Sequence, residues 1–203
     1  MTHTDPVLID VPMPIRTPRL YLSPPQAGDG PAMARALEET WDQLAETMPW
    51  ATDHEHETNP QVKEAFARHK QAEFIKREDI MLMGFPHASN TAIAFCGLHR
   101  FCWQRRSFEV GYWIHKDWQG NGYATETANA LTRYAFQALG ARKVLITHDE
   151  GNEASKAVIQ KLGFEKEGIN KLGTLLPNGR QVDNHIYALT EPSPLPDIDV
   201  NWG

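Results

Sequence analysis

Two spacings of apolar residues divide the chain into predicted helices and strands. Apolar side chains recur at helical spacing after Asp29 and again after Asn59, and both of these residues are suited to capping the start of a helix. The same spacing predicts helices from about Tyr123 to Leu139 and from Asn152 to Leu162. Apolar, aromatic and β-branched runs predict strands. The predicted strands are Arg19–Leu22, Ile80–Met83, Ile93–Leu98, Phe108–Ile114, Lys143–Thr147, a segment from Phe164 onward, and Val182–Leu189.

The order of these elements predicts the fold class. One strand is followed by two helices, three strands, a helix, a strand, a helix and two strands. This order is expected of a mixed α/β sheet with flanking helices, and of neither a doubly wound sheet nor a barrel. Prolines are frequent at both ends, so residues 1–14 are predicted to form an extended arm and residues 191–203 a proline-rich tail. Residues 15–190 remain as a single domain.

Composition narrows the class of protein. Of the 203 residues, 41% are hydrophobic and 23% are charged, as in ordinary soluble globular proteins. The net charge of −6 argues against nucleic acid or an anionic membrane as the main partner. Two cysteines are too few for a disulfide framework, and no apolar run approaches the roughly 18 residues of a membrane span. The first residues lack the pattern of a secretory signal, so a cytoplasmic protein is expected.

The candidate chemistry lies in residues 109–125, where a predicted strand runs into a glycine-containing loop and then a helix. Gly120 and Gly122 allow the backbone to approach a ligand closely, and the first amides of a helix have no helical acceptor. With the helix dipole, these features predict an anion site suited to a diphosphate. A P-loop and a dinucleotide fingerprint are both excluded, because no Gly-Lys-Ser/Thr follows and Thr125 stands where the fingerprint requires glycine. An ordinary glycine cap is the alternative.

Several sequence motifs, the loop among them, together resemble a known protein family. The segment Gln119–Ala124 has the form Gln-x-x-Gly-x-Ala, which resembles the acetyl-CoA pyrophosphate signature of the GNAT acetyltransferases. A helix that starts with Asn-Glu-Ala-Ser at residues 152–155 and ends at Lys161–Phe164 lies at the distance expected in that family. The opening Ile15–Leu20 and the strand Glu109–Ile114 are similar to the RimJ/RimL branch, which includes N-terminal acetyltransferases of ribosomal proteins.

The resemblance covers nearly all of residues 15–190 and implies a GNAT fold, in which two central parallel strands splay apart. It implies acetyl-CoA as co-substrate, without a metal. The pantetheine arm would pair with the free edge of the first strand, and the pyrophosphate would lie on the amides of the loop. The residues that the resemblance implies for cofactor binding are Tyr112, Trp113, Ile114, Gln119, Gly120, Asn121, Gly122, Tyr123, Ala124, Thr125, Asn152 and Ser155.

Acetylation of an amine by a thioester requires a neutral amine, a polarised carbonyl and a thiolate leaving group. An α-amino group, with a pKa of about 7.7–8.0, is partly neutral at pH 7, whereas a lysine at about 10.4 needs a stronger base. Glu109 is the first candidate for that base, because a carboxylate in an apolar central strand is costly without a role or a partner. A structural ion pair, for instance with Arg105 or Arg106, is the equal alternative. Asp183 and His185 are weaker candidates.

The general acid is a second open point. Many family members place a tyrosine four residues before the Gly-Phe pair, where this chain has Ile159. Ser155, on the same predicted helix, is the expected substitute. The alternative is that its hydroxyl satisfies the first turn of the helix.

Two other groups of residues resemble metal ligands and are predicted to hold none. The segment His54–Glu57 is expected to be solvated in a loop. Cys96, His99 and Cys102 would point to opposite faces of one strand. Seven acids and no lysine or arginine occur between Glu38 and Glu57, which favours a cationic acceptor if they line the cleft. A solvated helix face is the alternative.

The leading hypothesis is an acetyl-CoA-dependent N-acetyltransferase that acts by direct attack of an amine on the thioester. The favoured acceptor is the α-amine of a protein or peptide N-terminus. An acetyltransferase for small-molecule amines is the enzymatic alternative, and a catalytically silent acetyl-CoA-binding module is the non-enzymatic one. Neither nucleic acid nor a membrane is expected as a partner, and the oligomeric state is left open, a homodimer included.

Overall fold

The computed structural model describes residues 5–203, within which nine strands and five α-helices are found. The strands are β1 (Ile15–Arg16), β2 (Leu20–Ser23), β3 (Ile80–Pro86), β4 (Ala94–Cys102), β5 (Ser107–Ile114), β6 (Lys143–Asp149), β7 (Glu165–Leu175), β8 (Gln181–Leu189) and β9 (Asn201–Trp202). The helices are α1 (Gly30–Thr47), α2 (His54–Glu57), α3 (Pro60–Lys76), α4 (Tyr123–Gln137) and α5 (Glu153–Lys161).

The strands form one mixed sheet in the order β7-β8-β6-β5-β4-β3-β2-β1-β9. Every neighbouring pair is antiparallel except β5 and β6, which are parallel. Their pairing covers only Ser107–Glu109 of β5 and Lys143–Leu145 of β6. Both strands continue beyond this register, so an opening separates them towards their carboxyl ends. The predicted mixed α/β fold with splayed central strands is confirmed.

Helices cover both faces of the sheet. The largest core lies against α4 and α5, where Phe108 and Val110 of β5 pack with Leu131 of α4 and Ile159 of α5. On the opposite face, α1 and α3 pack over β3 and β4 around a smaller core that includes Phe95. Strand alternation explains this division, because successive side chains of β5 point to opposite faces.

The ends of the chain differ from the expectation of a plain arm and tail. The described part of the arm contains a short 3-10 helix at Pro6–Leu8, and residues 1–4 lie outside the described residues. In the predicted tail, β9 pairs with β1, and Leu195 is buried. Strands of two residues carry no readable alternation, so the sequence pattern missed them. The division into arm, domain and tail stays a prediction.

Two further observations concern helices. The segment His54–Glu57, expected to be a loop, is a one-turn helix in which the Asp53 side chain accepts a hydrogen bond from the His56 amide. None of the helices that the structure describes combines the length and hydropathy that a bilayer-spanning segment requires.

Candidate active site

The glycine loop between β5 and α4 has the geometry of an anion site. Gly120 and Gly122 have φ angles of 73° and 82°, in the left-handed region that favours glycine. The first backbone hydrogen bond of α4 runs from the Glu126 amide to the Gly122 carbonyl (3.0 Å). The amides ahead of Glu126 therefore have no acceptor within the helix, and they are available to an anion at the positive end of the helix dipole.

Side chains of the loop hold its shape. The Gln119 Nε2 donates to the Ile114 carbonyl (2.8 Å), which ties the loop to the end of β5. The Asn121 Nδ2 donates to the Gln119 carbonyl (2.9 Å). Gln119 and Asn121 therefore support the loop through their side chains. The Gln119 amide also donates to the Lys116 carbonyl (3.3 Å), so the amides available to a ligand begin after Gln119.

Arg19, just ahead of β2, contacts the loop from the side. Its Nε donates to Oε2 of Glu126, and its Nη1 donates to the Asn121 carbonyl (2.8 Å). The guanidinium carbon lies 4.1 Å from the centre of the Tyr123 ring. Glu126 is buried in the first turn of α4 and also accepts from the Thr17 hydroxyl (2.6 Å). The arginine thus balances a carboxylate that would otherwise repel an anion at this helix end.

A cavity of about 540 Å³ lies beside the loop. Its lining combines one arginine, two aromatic rings and polar groups: Arg19, Asp117, Trp118, Asn121 and Tyr123. Aromatic rings and a cation are suited to the base and phosphates of a nucleotide, whereas the carboxylate of Asp117 opposes an anion.

The predicted cofactor residues of β5 lie along the opening between β5 and β6. Trp113 stacks on Phe95 with ring centres 4.2 Å apart, so its side chain belongs to the α1 face and only its backbone borders the opening. Tyr112 points to the other face, where its hydroxyl lies 3.2 Å from the Ser155 hydroxyl of α5. Burial raises the pKa of Tyr112 to about 12, so the phenol stays protonated at neutral pH.

The hydroxyl of Ser155 is not used by the first turn of α5. Oδ1 of Asn152 accepts from the Ser155 amide (3.0 Å) and so caps the helix, whereas the Ser155 hydroxyl contacts Tyr112. The first-turn alternative for this hydroxyl is therefore wrong. Ile159, at the position of the usual tyrosine, is fully buried in the main core, and a tyrosine there would overpack it.

Glu109 has an ion-pair partner that the sequence did not predict. Its carboxylate accepts from Nε (2.9 Å) and Nη2 of Arg100, rather than from Arg105 or Arg106. The register explains this, because antiparallel pairing sets His99 of β4 opposite Glu109, which brings the next residue of β4 close. The paired arginine supports the structural alternative for Glu109, and its role as a base stays a prediction.

The two weaker candidates for the base are also engaged. Asp183 accepts from the Lys171 ammonium (2.6 Å) and the Leu172 amide (2.9 Å), and these hydrogen bonds lower the pKa of its carboxyl. His185 stacks on His148 with ring centres 4.9 Å apart. Burial, followed by the charge of nearby Lys166, lowers the pKa of His185.

A second cavity, of about 360 Å³, lies at the carboxyl end of β6. The end of α1, the turn from β6 to α5 and the β7–β8 hairpin together form its lining, which consists of Glu46, Thr47, Asp149, Glu150, Gly151, Asn152, Leu176, Asn178 and Arg180. Of the acids between Glu38 and Glu57, only Glu46 lines this cavity. Sequence reasoning missed Asp149, which ends β6 inside it.

Among the described residues, one group of three side chains is arranged closely enough to bind a metal ion. Glu39, His115 and Asp117 bring possible ligand atoms within 4.8 Å of one another. The His115 Nε2 lies 2.7 Å from Glu39 Oε2, and Nδ1 accepts from the Asp117 amide (3.3 Å). Both ring nitrogens are therefore engaged, and His115 links α1 to the turn before the glycine loop. That the protein uses no metal stays a prediction.

Comparison with known proteins decides the family. The family described as acetyltransferase (GNAT) domain matches residues 19–165, which is more than half of the chain and spans β2 to the start of β7. The chain belongs to the GNAT acetyltransferase family. Its members use acetyl-CoA, and the resemblance read from the glycine loop is confirmed.

Relatives of this GNAT chain include proteins named for ribosomal substrates. YdaF of Bacillus subtilis (strain 168), provisionally named a ribosomal N-acetyltransferase, is 38% identical over 99 residues, which cover 47% of this chain and 54% of YdaF. The [ribosomal protein uS5]-alanine N-acetyltransferase of Escherichia coli (strain K12) is 35% identical over 83 residues, or 41% of this chain and 42% of that protein. The chain thus spans about half the length of the curated relatives it matches.

Solved structures share the fold of this GNAT chain. Mycobacterium smegmatis RimJ, solved in complex with CoA-disulfide, superposes with a TM-score of 0.81 at 20% identity over 92% of this chain and 90% of RimJ. The microcin C7 self-immunity acetyltransferase MccE, solved with acetyl-CoA and AMP, superposes with a TM-score of 0.77 at 17% identity, over 86% and 93% of the two chains. At these identities the likeness concerns the fold alone.

Proposed function

We propose that this GNAT chain transfers the acetyl group of acetyl-CoA to an amine by direct attack of the amine on the thioester. The observation that carries the proposal is the opening between β5 and β6. On one face of the sheet it is bordered by the hydroxyls of Tyr112 and Ser155, and at its carboxyl end lies the acidic cavity at Asp149, which the end of α1 also lines. A thioester in the opening could be approached by an amine from that cavity.

In this proposal the glycine loop binds the pyrophosphate of acetyl-CoA. The unpaired amides between Gly120 and Thr125 supply donors, and Arg19 keeps the loop in position. The free edge of β5 pairs with the pantetheine arm, and one of its amides stabilises the oxyanion of the thioester carbonyl. Asn152 and Ser155 lie beside the thiol end, where Ser155 donates a proton to the leaving thiolate. No metal takes part.

We propose the α-amine of a protein or peptide N-terminus as the acceptor. Two observations support this choice: the relatives named for ribosomal proteins, and the acidic lining of the cavity at Asp149, which suits a cationic amine. The cytoplasmic location stays a prediction. A small-molecule amine and a silent acetyl-CoA-binding module are the alternatives that the experiment must separate.

The test measures thiol release from acetyl-CoA with a panel of N-terminal peptides, lysine peptides and small amines. We expect release with N-terminal peptides, at kcat/KM values at least tenfold above those for peptides whose only amine is a lysine side chain. Higher values with small amines would overturn the protein acceptor. Calorimetric binding of acetyl-CoA without thiol release from any acceptor would overturn the enzymatic function.

A further inference from the structure

We propose that Asp149 binds the ammonium group of the acceptor and takes its proton before acetyl transfer, an inference that rests on the proposed function. Asp149 is the last residue of β6, so it lies at the carboxyl end of the opening. Strand alternation puts it on the same face as Thr147, and it lines the cavity together with Glu46 of α1. It is thus the carboxylate of β6 that an entering amine meets.

Two neutral donors orient the carboxylate of Asp149. Oδ1 accepts from the Thr174 hydroxyl of β7 and from Nδ2 of Asn184 of β8 (2.8 Å). Among the described residues, no donor contacts Oδ2. One oxygen is therefore held in place by the hairpin, and the other is free to accept from an ammonium group in the cavity.

The donors distinguish Asp149 from Glu109. Arg100 neutralises Glu109, whereas Thr174 and Asn184 orient Asp149 without cancelling its charge. A carboxylate whose partners are neutral keeps its negative charge, and with it the attraction for the ammonium group that must give up a proton. Asp149 is therefore the better placed of the two for the proton transfer.

The charged groups around the cavity favour a cation. Glu46 and Glu150 add two acids to Asp149, against the single guanidinium of Arg180. On the neighbouring strand β8, Asp183 is already paired with Lys171. On the opposite face, His148 Nδ1 donates to the Asp149 carbonyl (3.0 Å), and the ring stacks on His185. The net charge of the cavity lining is thus negative.

The step balances without any further reactant. The ammonium group of the acceptor gives one proton to Oδ2 of Asp149 and becomes a neutral amine. The nitrogen lone pair forms the C–N bond at the thioester carbonyl, and collapse of the adduct breaks the C–S bond, whose electron pair leaves on sulfur. The nitrogen loses its second proton to the thiolate, by way of Ser155, and Asp149 returns its proton to water. The products are the amide, CoA thiol and one proton.

The test compares pH profiles of kcat/KM for an N-terminal peptide with wild-type protein and Asp149→Asn. An asparagine keeps an oxygen that accepts from Thr174 and Asn184, so the fold is retained, and the melting temperature and acetyl-CoA affinity check this. We expect kcat/KM to fall about 10²-fold at pH 6.5. The deficit should shrink above pH 8, where an α-amine with a pKa of about 7.7–8.0 is neutral in solution. Glu153→Gln, an exposed acid of α5 outside the cavity, is the matched control and should leave the profile unchanged.

Each outcome has a distinct meaning. A wild-type profile for Asp149→Asn, or an equal loss at every pH, overturns the assignment of Asp149. The assignment is also overturned when Glu109→Gln, and not Asp149→Asn, removes the acid limb of the profile. Absence of thiol release by the wild-type protein contradicts the proposed function itself, which is how the two failures are told apart.

Discussion

At the scale of single residues, Gly122 has a backbone conformation that favours glycine, and it lies in the loop that we propose to bind the diphosphate. Its φ is 82°, and a Cβ would lie 3.5 Å from Nη2 of Arg19. We expect Gly122→Asp to abolish acetyl-CoA binding, because the added carboxylate would occupy the anion site and repel phosphate. Isothermal calorimetry measures the affinity.

The control for Gly122 is Gly140→Asp. Gly140 also has a positive φ, of 64°, with no atom within 4 Å of its Cβ position. In both variants a residue with a side chain must adopt the left-handed backbone conformation, which costs about 1–2 kcal/mol of folding free energy. The two melting temperatures should therefore fall by similar amounts. An unchanged affinity in the folded Gly122 variant contradicts the assignment of the loop.

The paired hydroxyls of Ser155 and Tyr112 allow a second test at this scale. We expect Ser155→Ala to lower kcat about 10–100-fold, the range of general acid catalysis or just below it. Stability should change little, because Asn152 and not the Ser155 hydroxyl caps α5. Tyr112→Phe should lower kcat less, and in a Ser155→Ala background it should have no further effect, since the two hydroxyls act as one unit. Additive losses in this double-mutant cycle, measured by steady-state kinetics, would show that they act separately.

Which site residues the sequence could reveal depends on how far apart the partners lie along the chain. The glycine loop and the Asn152 cap are local patterns, and both were predicted. Arg19 and Glu126 are 107 residues apart, and Asp149 meets its two donors over 25 and 35 residues. Pairing over such separations is set by the fold, so no local pattern signals it. Arg100 is only nine residues from Glu109, and in that case the β4–β5 register, rather than distance along the chain, selects the partner.

At the scale of elements, Arg19 joins β2 to the start of α4 and makes the loop depend on a distant strand. Removing its charge leaves Glu126 unbalanced in the first turn of α4. We expect Arg19→Gln to raise the KM for acetyl-CoA by about tenfold or more, the equivalent of one charge-assisted hydrogen bond. Acetyl-pantetheine lacks the pyrophosphate. We therefore expect the variant and the wild-type protein to use it with the same KM.

Two further variants sharpen this test. Adding Glu126→Gln to Arg19→Gln should restore most of the acetyl-CoA affinity, because the unbalanced charge is removed. Arg16→Gln, an arginine of β1 that donates to the Gly203 carbonyl, should leave both KM values unchanged. Equal losses with acetyl-CoA and acetyl-pantetheine would mean that Arg19 supports only the fold.

Elements of ordinary length were predicted well, and very short ones were not. Four helices and seven strands have the apolar spacing and caps that sequence reasoning uses, and the structure contains them. The missed elements, β1, β9 and α2, have two to four residues, too few for any period to be recognised. Such short elements depend on tertiary contacts. The strand β9, for example, forms by antiparallel pairing with the edge of β1.

At the scale of the whole molecule, the chain returns from one side of the sheet to the other after β8, along a path that composition does not reveal. After β8 it passes over α4, where Arg133 and Asn129 donate to the Pro196 carbonyl, and then reaches β1 at the far edge. The mixed sheet followed from the order of elements, but this return path depends on contacts that form only once the sheet exists. The sequence therefore predicted the mixed sheet, but not the return of the C-terminal segment to pair with β1.

The opening between β5 and β6 also changes how the centre of this sheet should exchange its amide protons. Amides of central strands are normally the slowest to exchange, because each is bonded to a neighbour. In β5, every second amide beyond Glu109 faces the opening without a strand acceptor. We expect these amides to take up deuterium as quickly as those of an edge strand, while β4 stays protected. Acetyl-CoA should then slow them, so the middle of the sheet would become ordered only when its co-substrate completes it.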